Sequence, residues 1–383
     1  MAEFRMPSLG ADMEAGTLVE WLKKPGDRIV RGDIIAVVET QKGAIEIEVF
    51  QSGTLETLLA TPGQKVAVGF PMAFIRGDGE RDVTLPAVPT PPQAWPTPQA
   101  APPSVTPHAA VPPPHLGAIR ASPAARKRAA ELGVELQNVG GTGAGGAITL
   151  ADIEKAAAAL PSPGEGMRQA IGAAMARSKR EIPHYYLAHT ADLEPALRWL
   201  EAENAKRPPP ERVLYGVLLL KAVARALRDY PEFNGFWING RFQPSASIHL
   251  GVAISIGKSG LVAPAIHDAD GLALPQLMAA LRDLVARARK GGLRSSELTD
   301  PTITVTSLGE RSVESVFPVI YPPQVAIAGF GMVVERPWVV ESAVVPRRVL
   351  SCSLAGDHRV SDGHRGARFL AAVARLLQEP QGL

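Results

Sequence analysis

Cysteine is almost missing from this chain of 383 residues: there is one, Cys352. A single thiol excludes an internal disulfide framework and any cysteine-rich metal site. It lies in an apolar, strand-like run, Val349 to Leu354, so a buried and inert thiol is expected rather than a nucleophile. An excess of charge is missing too. Forty Lys and Arg against 38 Asp and Glu give a net charge of +2, so no global basic field points to nucleic acid. Apolar runs long enough to span a membrane, about 18 residues, are absent, and the best candidate, Val213 to Leu220, stops at Lys221. The first residues lack the profile of a signal or transit peptide. A soluble, cytoplasmic protein is expected. Histidines are few, and none pairs with another at metal-ligand spacing beside carboxylates, so no metal site is expected.

The largest local absence divides the chain. From Val83 to Ile119 there is no charged residue, and prolines crowd the stretch Pro86 to Pro114. Alanine and proline without large apolar side chains cannot form a core. Such a segment favours polyproline II at about 3.1 Å per residue, so roughly 30 residues would span about 90 Å. It reads as a semi-stiff tether, and whatever precedes it must travel. A second break is Pro161-Ser162-Pro163-Gly164. The expected units are 1–80, a linker 81–117, a small helical unit 118–157, a short linker 158–166 and a large domain 167–383.

Within the first unit the sequence repeats itself without gaps at an offset of 37 residues, the distance from Gly16 to Gly53. Gly16-Thr17-Leu18 matches Gly53-Thr54-Leu55, Leu22 matches Leu59, Pro25-Gly26 matches Pro62-Gly63, Ile29 matches Val66 and Gly32 matches Gly69. Repeated glycines mark repeated turns. Two β-units too small to bury a face alone should pack on each other as a sandwich. Between them run Ile34 to Thr40 and the alternating Ile45-Glu46-Ile47-Glu48-Val49, a half-buried strand. Lys42 is therefore expected at an exposed hairpin tip.

These residues resemble the lipoyl domain family: Gly26-Asp27, Gly32-Asp33 and Glu39-Thr40-Gln41-Lys42 match its pattern through most of residues 4–78. The resemblance implies covalent lipoate on Lys42. Biotin-carrying relatives flank their lysine with methionines, whereas Gln41 and Gly43 stand here.

The middle unit opens with Ser122-Pro123, an N-cap followed by proline at the first helical position, and its first helix should end before Gly133. A glycine-rich loop, Gly140 to Gly146, leads through Thr149 into a second helix, Leu150 to Leu160. The loop lacks the Gly-Lys-Ser/Thr of a phosphate cradle. The unit resembles the peripheral-subunit-binding domain of 2-oxo acid dehydrogenase acyltransferases. That resemblance implies docking of the dihydrolipoyl dehydrogenase or the 2-oxo acid decarboxylase through basic side chains, with Arg126 at one such position. Ala147 stands where the family has an arginine.

The large domain alternates helical and strand patterns. Helices are expected at Met167–Lys179, Leu193–Ala205, Val213–Asp229, Leu274–Lys290 and Gly363–Leu377, and strands at Ile248–Ile254, Leu261–Ile266, Ile303–Thr306, Gln324–Val334 and Val349–Leu354. A mixed α/β layered domain follows. Its chemical candidate is Asp357-His358-Arg359-Val360-Ser361-Asp362-Gly363. A histidine between a strand and a helix can serve as a general base near neutral pH. The plainer reading makes Asp362 a helix N-cap and His358 merely hydrogen-bonded, and the spacing leaves both open.

The run from His358 to Gly363 resembles the His-Arg-x-x-Asp-Gly signature of the dihydrolipoyl acyltransferase catalytic domain, related in fold to chloramphenicol acetyltransferase. Met167 to Ile171, Ile182-Pro183-His184, Pro231 to Asn234, Gly260 to Pro264 and Thr304 to Gly309 extend the match. The resemblance implies thioester exchange between lipoyl-lysine and coenzyme A. It makes His358 the base and Thr306 the hydroxyl donor to the thioester oxygen. Asp362 would orient a loop through an ion pair, with Arg168 as the candidate partner. It further implies a homotrimer, with His358 and Thr306 meeting across a subunit boundary. Of the remaining histidines, His108, His115, His249, His267 and His364 have only structural readings. Acetyl, as in a pyruvate dehydrogenase-type complex, is the expected acyl group; branched-chain, succinyl and acetoin-derived acetyl are alternatives. A non-catalytic lipoyl-bearing subunit is the competing reading.

Overall fold

The computed structural model describes residues 2–8, 13, 15–40, 43–77, 120–132, 134, 136–159, 163–257, 260–308 and 313–383. The expected tether lies outside these residues. Two compact units divide the chain: Met1–Gly79 with Pro163–Leu383, and Glu80–Ser162.

The N-terminal part is a β-sandwich. One sheet orders Ala2–Arg5, Pro71–Gly77, Gly53–Leu58 and Arg28–Ile29; the other orders Gly43–Glu48, Ile34–Thr40, Ala15–Trp21 and Lys65–Ala67. The sequence repeat is also a repeat of hydrogen bonds. The Gly26 amide donates to the Leu55 carbonyl at 2.7 Å, and its twin, Gly63, donates to Leu18 at 2.7 Å. Leu22 donates to Ile35 and Leu59 to Met72, each at 2.8 Å. The paired side chains Leu18 and Leu55, Ile29 and Val66, and Ile35 and Met72 all lie in one buried core. Neither half closes its turns alone, because each glycine bonds to the opposite half.

The second unit has two helices, α1 (Pro123–Leu132) and α2 (Leu150–Ala159), over a core of Ala125, Ala129, Ile148 and Ile153. Ser122 caps α1 as expected, its hydroxyl accepting from the Ala125 amide at 3.1 Å. So small a core needs polar reinforcement, and Asp152 supplies it. Its carboxylate accepts from the amides of Thr142 and Thr149 and from both their hydroxyls. Those bonds hold the carboxyl far below the ordinary range, the Thr142 amide contributing most.

The C-terminal part builds a six-stranded mixed sheet in the order Ala265–Ile266, Leu250–Val252, Ile303–Ser307, Ala326–Val340, Ala343–Asp357, His184–Asp192. Around it lie α3 (Pro163–Glu181), α4 (Glu194–Ala205), α5 (Tyr215–Ala226), α6 (Leu274–Lys290), α7 (Ser295–Thr299) and α8 (Gly363–Gln378). Strand residues alternate between two cores. Ala326, Ala328 and Phe330 join the main core with α5 and α8, while Ile327 and Ala355 meet Ile182 and Ile320 on the other face. Lys221, which ends the apolar run, is buried within α5; its ammonium donates to the carbonyls of Asp270 (2.8 Å) and Leu272. Cys352 is fully buried, and burial pushes its thiol up to about 12.

Three expectations change. Strand His184–Asp192 pairs with Ala343–Asp357 along its whole length, although its sequence does not alternate. The two long strands run on to Val340 and back from Ala343 as a ribbon whose Val339 and Val344 are exposed. The segment 248–266 is not two continuous strands but four short ones, and the last two part at Pro264, whose nitrogen has no hydrogen to give a ladder. No described helix is long and apolar enough to cross a membrane.

Candidate active site

His358 follows the last residue of strand Ala343–Asp357, and α8 begins five residues later at Gly363. The turn between them is built on Asp357. Its carbonyl accepts from Val360 and Ser361 at 3.0 and 3.1 Å. Its carboxylate, buried completely, takes the Arg359 guanidinium in a bidentate pair, with contacts of 2.9, 3.1 and 2.6 Å. The same guanidinium lies over Trp237 at 4.5 Å. Pinned at both ends, the turn presents His358 outward, its backbone amide donating to Pro183 at 3.0 Å.

Tyr185, from the strand that sequence reasoning missed, meets the His358 ring edge-on at 5.3 Å, and its hydroxyl lies 2.8 Å from that of Ser361. Burial pushes the Tyr185 phenol above its usual range, so it remains a neutral hydroxyl. The ring reaches this position because residue 356 is glycine; a Cβ there would stand 2.5 Å from Tyr185.

Asp362 is the N-cap of α8, accepting from the Arg365 amide at 2.9 Å. Its carboxyl sits below the ordinary range mainly through that bond. This corrects the expected ion pair: Arg168 is exposed, and no salt bridge among the described residues joins it to Asp362. A backbone cap satisfies the carboxylate locally, so no guanidinium is required. Arg365 turns instead to Glu232 at 2.5 Å and lies over Tyr230 at 4.8 Å. Glu232, His358, Ser361, Asp362 and Arg365 line a polar, open cavity of about 450 Å³.

Thr306 ends a different cavity. Half-buried on strand Ile303–Ser307, it lines an apolar space of about 260 Å³ with Ile171, Met175, Val262, Leu298 and Tyr321. The Thr304 hydroxyl, two residues back on the same face, donates to the Gln324 side chain at 2.8 Å. The two cavities have no lining residue in common.

Lys42 lies outside the described residues. The strands flanking it pair to their ends, Thr40 against Gly43. Arg126 is exposed on α1, beside exposed Lys127. His184 donates from Nδ1 to Ile182 at 2.9 Å and accepts at Nε2 from the Ile320 amide at 3.1 Å. Burial holds it below its ordinary range, and it is structural. Sequence reasoning assigned no role to Asp357, Tyr185 or Ser361. Only the Asp-x-Arg spacing offered a signal for the first.

Comparison with known proteins joins these parts. Residues 160–383 match the family described as 2-oxoacid dehydrogenases acyltransferase (catalytic domain), residues 2–75 that described as Biotin-requiring enzyme, and residues 119–154 the e3 binding domain. The chain is 32% identical to the dihydrolipoyllysine-residue acetyltransferase component of the acetoin cleaving system of Bacillus subtilis, over 99% of this chain and 98% of that one. It is also 32% identical to the lipoamide acyltransferase component of the branched-chain alpha-keto acid dehydrogenase complex of Pseudomonas putida, over 98% and 97%. Azotobacter vinelandii dihydrolipoamide acetyltransferase aligns in structure with a TM-score of 0.54 at 28% identity, covering 56% of this chain and 90% of that one. Its catalytic mechanism has been investigated through a serine, a histidine and an asparagine four residues beyond the histidine. The chain belongs to the 2-oxoacid dehydrogenase acyltransferases, the lipoate-bearing, coenzyme A-using core subunits of 2-oxo acid dehydrogenase complexes.

Proposed function

We propose that this protein transfers acetyl groups between lipoate on Lys42 and coenzyme A, with His358 as base and Thr306 as hydroxyl donor. The observation that carries the reading is the Asp357–Arg359 turn, which holds a histidine rigidly at the mouth of an open polar cavity. Lipoate supplies a thiol at the end of a movable arm. His358 takes the proton from the attacking thiol, whose reference pKa near 8.5 leaves it mostly protonated at pH 7. The thiolate of coenzyme A forms a bond to the thioester carbon, the old C–S bond breaks, and His358 returns the proton to the departing sulfur. Thr306 donates to the carbonyl oxygen as negative charge grows there. Asp362 sits at the four-residue spacing of the asparagine in the Azotobacter enzyme. As the cap of α8 it positions the turn that carries His358. Because His358 and Thr306 line separate cavities, they meet when a second chain supplies the other half, in a trimer. Arg126 docks the dehydrogenase or the decarboxylase, and the proline-rich stretch 81–117 gives the lipoyl domain its reach.

Full-length protein from a lipoate-competent host should show a lipoyl mass increment that vanishes in Lys42→Ala. With dihydrolipoamide as acceptor, acetyl-CoA should be used faster than succinyl-CoA or a branched acyl-CoA. Preference for either of the others would overturn the acetyl assignment, and transfer unaffected by His358→Ala would overturn the base.

A further inference from the structure

The second sheet of the lipoyl-bearing sandwich has an additional member. Strand Gly43–Glu48 pairs in parallel with Leu293–Arg294 of the C-terminal domain, Ile45 opposite Leu293 and Glu46 opposite Arg294. Among the described residues, Leu293–Arg294 has no other strand partner. We propose that Leu293–Arg294 and α7 form a docking seat that receives the lipoyl-bearing domain by strand addition and holds it beside the wall of the Thr306 cavity.

Three features make the contact specific. Glu48 is buried at the interface; its carboxylate accepts from the Ser296 hydroxyl and, at 3.4 Å, from the Ser296 amide. Its own amide donates to the Ser295 hydroxyl at 3.3 Å. The seat is also held from behind. Glu297 on α7 accepts from the Arg294 amide at 2.8 Å and from both terminal nitrogens of Arg287 at 2.6 and 2.5 Å. His267 bonds to Asp300, the residue that closes α7, at 3.0 Å. The edge is therefore organised by the catalytic domain's own residues, and strand addition to a formed edge gains backbone bonds at little ordering cost.

Finally, Leu298 links the seat to the chemistry. It packs against the core of the lipoyl-bearing sandwich and also lines the Thr306 cavity. A domain seated here lies against a residue that also lines the cavity of the hydroxyl donor.

The inference rests on the acyl-transfer reading, and two acceptors separate them. In full-length protein, Ser296→Glu puts a second carboxylate against Glu48 while suiting the first turn of a helix, so α7 should persist. Transfer to the protein's own lipoyl domain should fall about tenfold or more, as expected for losing a charged hydrogen bond. Transfer to free dihydrolipoamide should be unchanged. Glu48→Lys combined with Ser296→Glu should restore most of the loss. Equal slowing with both acceptors, or no slowing with either, would overturn the seat. Absence of transfer to free dihydrolipoamide in the wild type would instead overturn the acyl-transfer reading. A fold-independent check is oxidation of Glu46→Cys with Arg294→Cys, since the native thiol is buried. A crosslink between these positions, within or between chains, supports the seat, and its absence overturns it.

Discussion

The cavity at His358 and the cavity at Thr306 share one sheet and little else. The first is wide and lined by ionic side chains; the second is narrower and walled by Ile171, Met175, Val262 and Leu298. A general base works where protons can come and go, and a hydroxyl that steadies a growing charge works best where water is excluded. The two environments suit the two roles proposed for His358 and Thr306. In the proposed trimer, separate cavities would let each group keep its own dielectric until two chains bring them together.

The sharpest way to break that comparison is His358→Ala, which should lower kcat by about 10²–10⁴. Thr306→Ala should cost about 10²–10³, whereas Thr306→Ser keeps the hydroxyl and should stay within about threefold. Mixing the two alanine variants under conditions of subunit exchange should recover part of the activity. A mixture no better than the mean of its components, with exchange confirmed by mass spectrometry, would show that one chain holds the whole site. Tyr185→Phe removes the bond to Ser361 and should lower kcat about two- to tenfold, with little change in KM.

A smaller effect concerns stability at the same sheet. Glu194 ties α4 to strand Ala343–Asp357 through Arg348 at 2.7 Å, and that bond, with a second from Arg198, lowers its carboxyl from 4.5 to about 2. A depressed carboxyl stabilises the fold above its unfolded pKa and loses that contribution as pH falls. Glu194→Gln should therefore lower Tm at pH 7, and the gap from wild type should narrow as pH falls from about 4.5 toward 2. A gap independent of pH would mean that packing rather than charge is responsible.

Much of this was legible in the sequence. The 37-residue repeat determined the sandwich because each glycine turn recurs with its apolar partner, and periodicity located α4, α6 and α8 closely. His358 could be placed between strand and helix because Asp362-Gly363 is a strong start signal. What could not be read was long-range. Tyr185 lies 173 residues before His358 and comes from a strand whose partly exposed side chains give no alternation. The ribbon 335–348 projects beyond the core, so no buried face marks its residues. Asp362 has two chemically sensible partners, a guanidinium or a helix amide, and only the backbone path decides between them.

The paired turns of the sandwich also give the domain an internal replicate. Gly26 and Gly63 have φ of 95° and 85°, identical amide bonds of 2.7 Å, and nothing within 4 Å of an added Cβ. Alanine at either site should therefore cost about 1 kcal/mol from backbone strain alone. Any difference between the two would measure how far the two halves of the sandwich differ in tolerating the same local change.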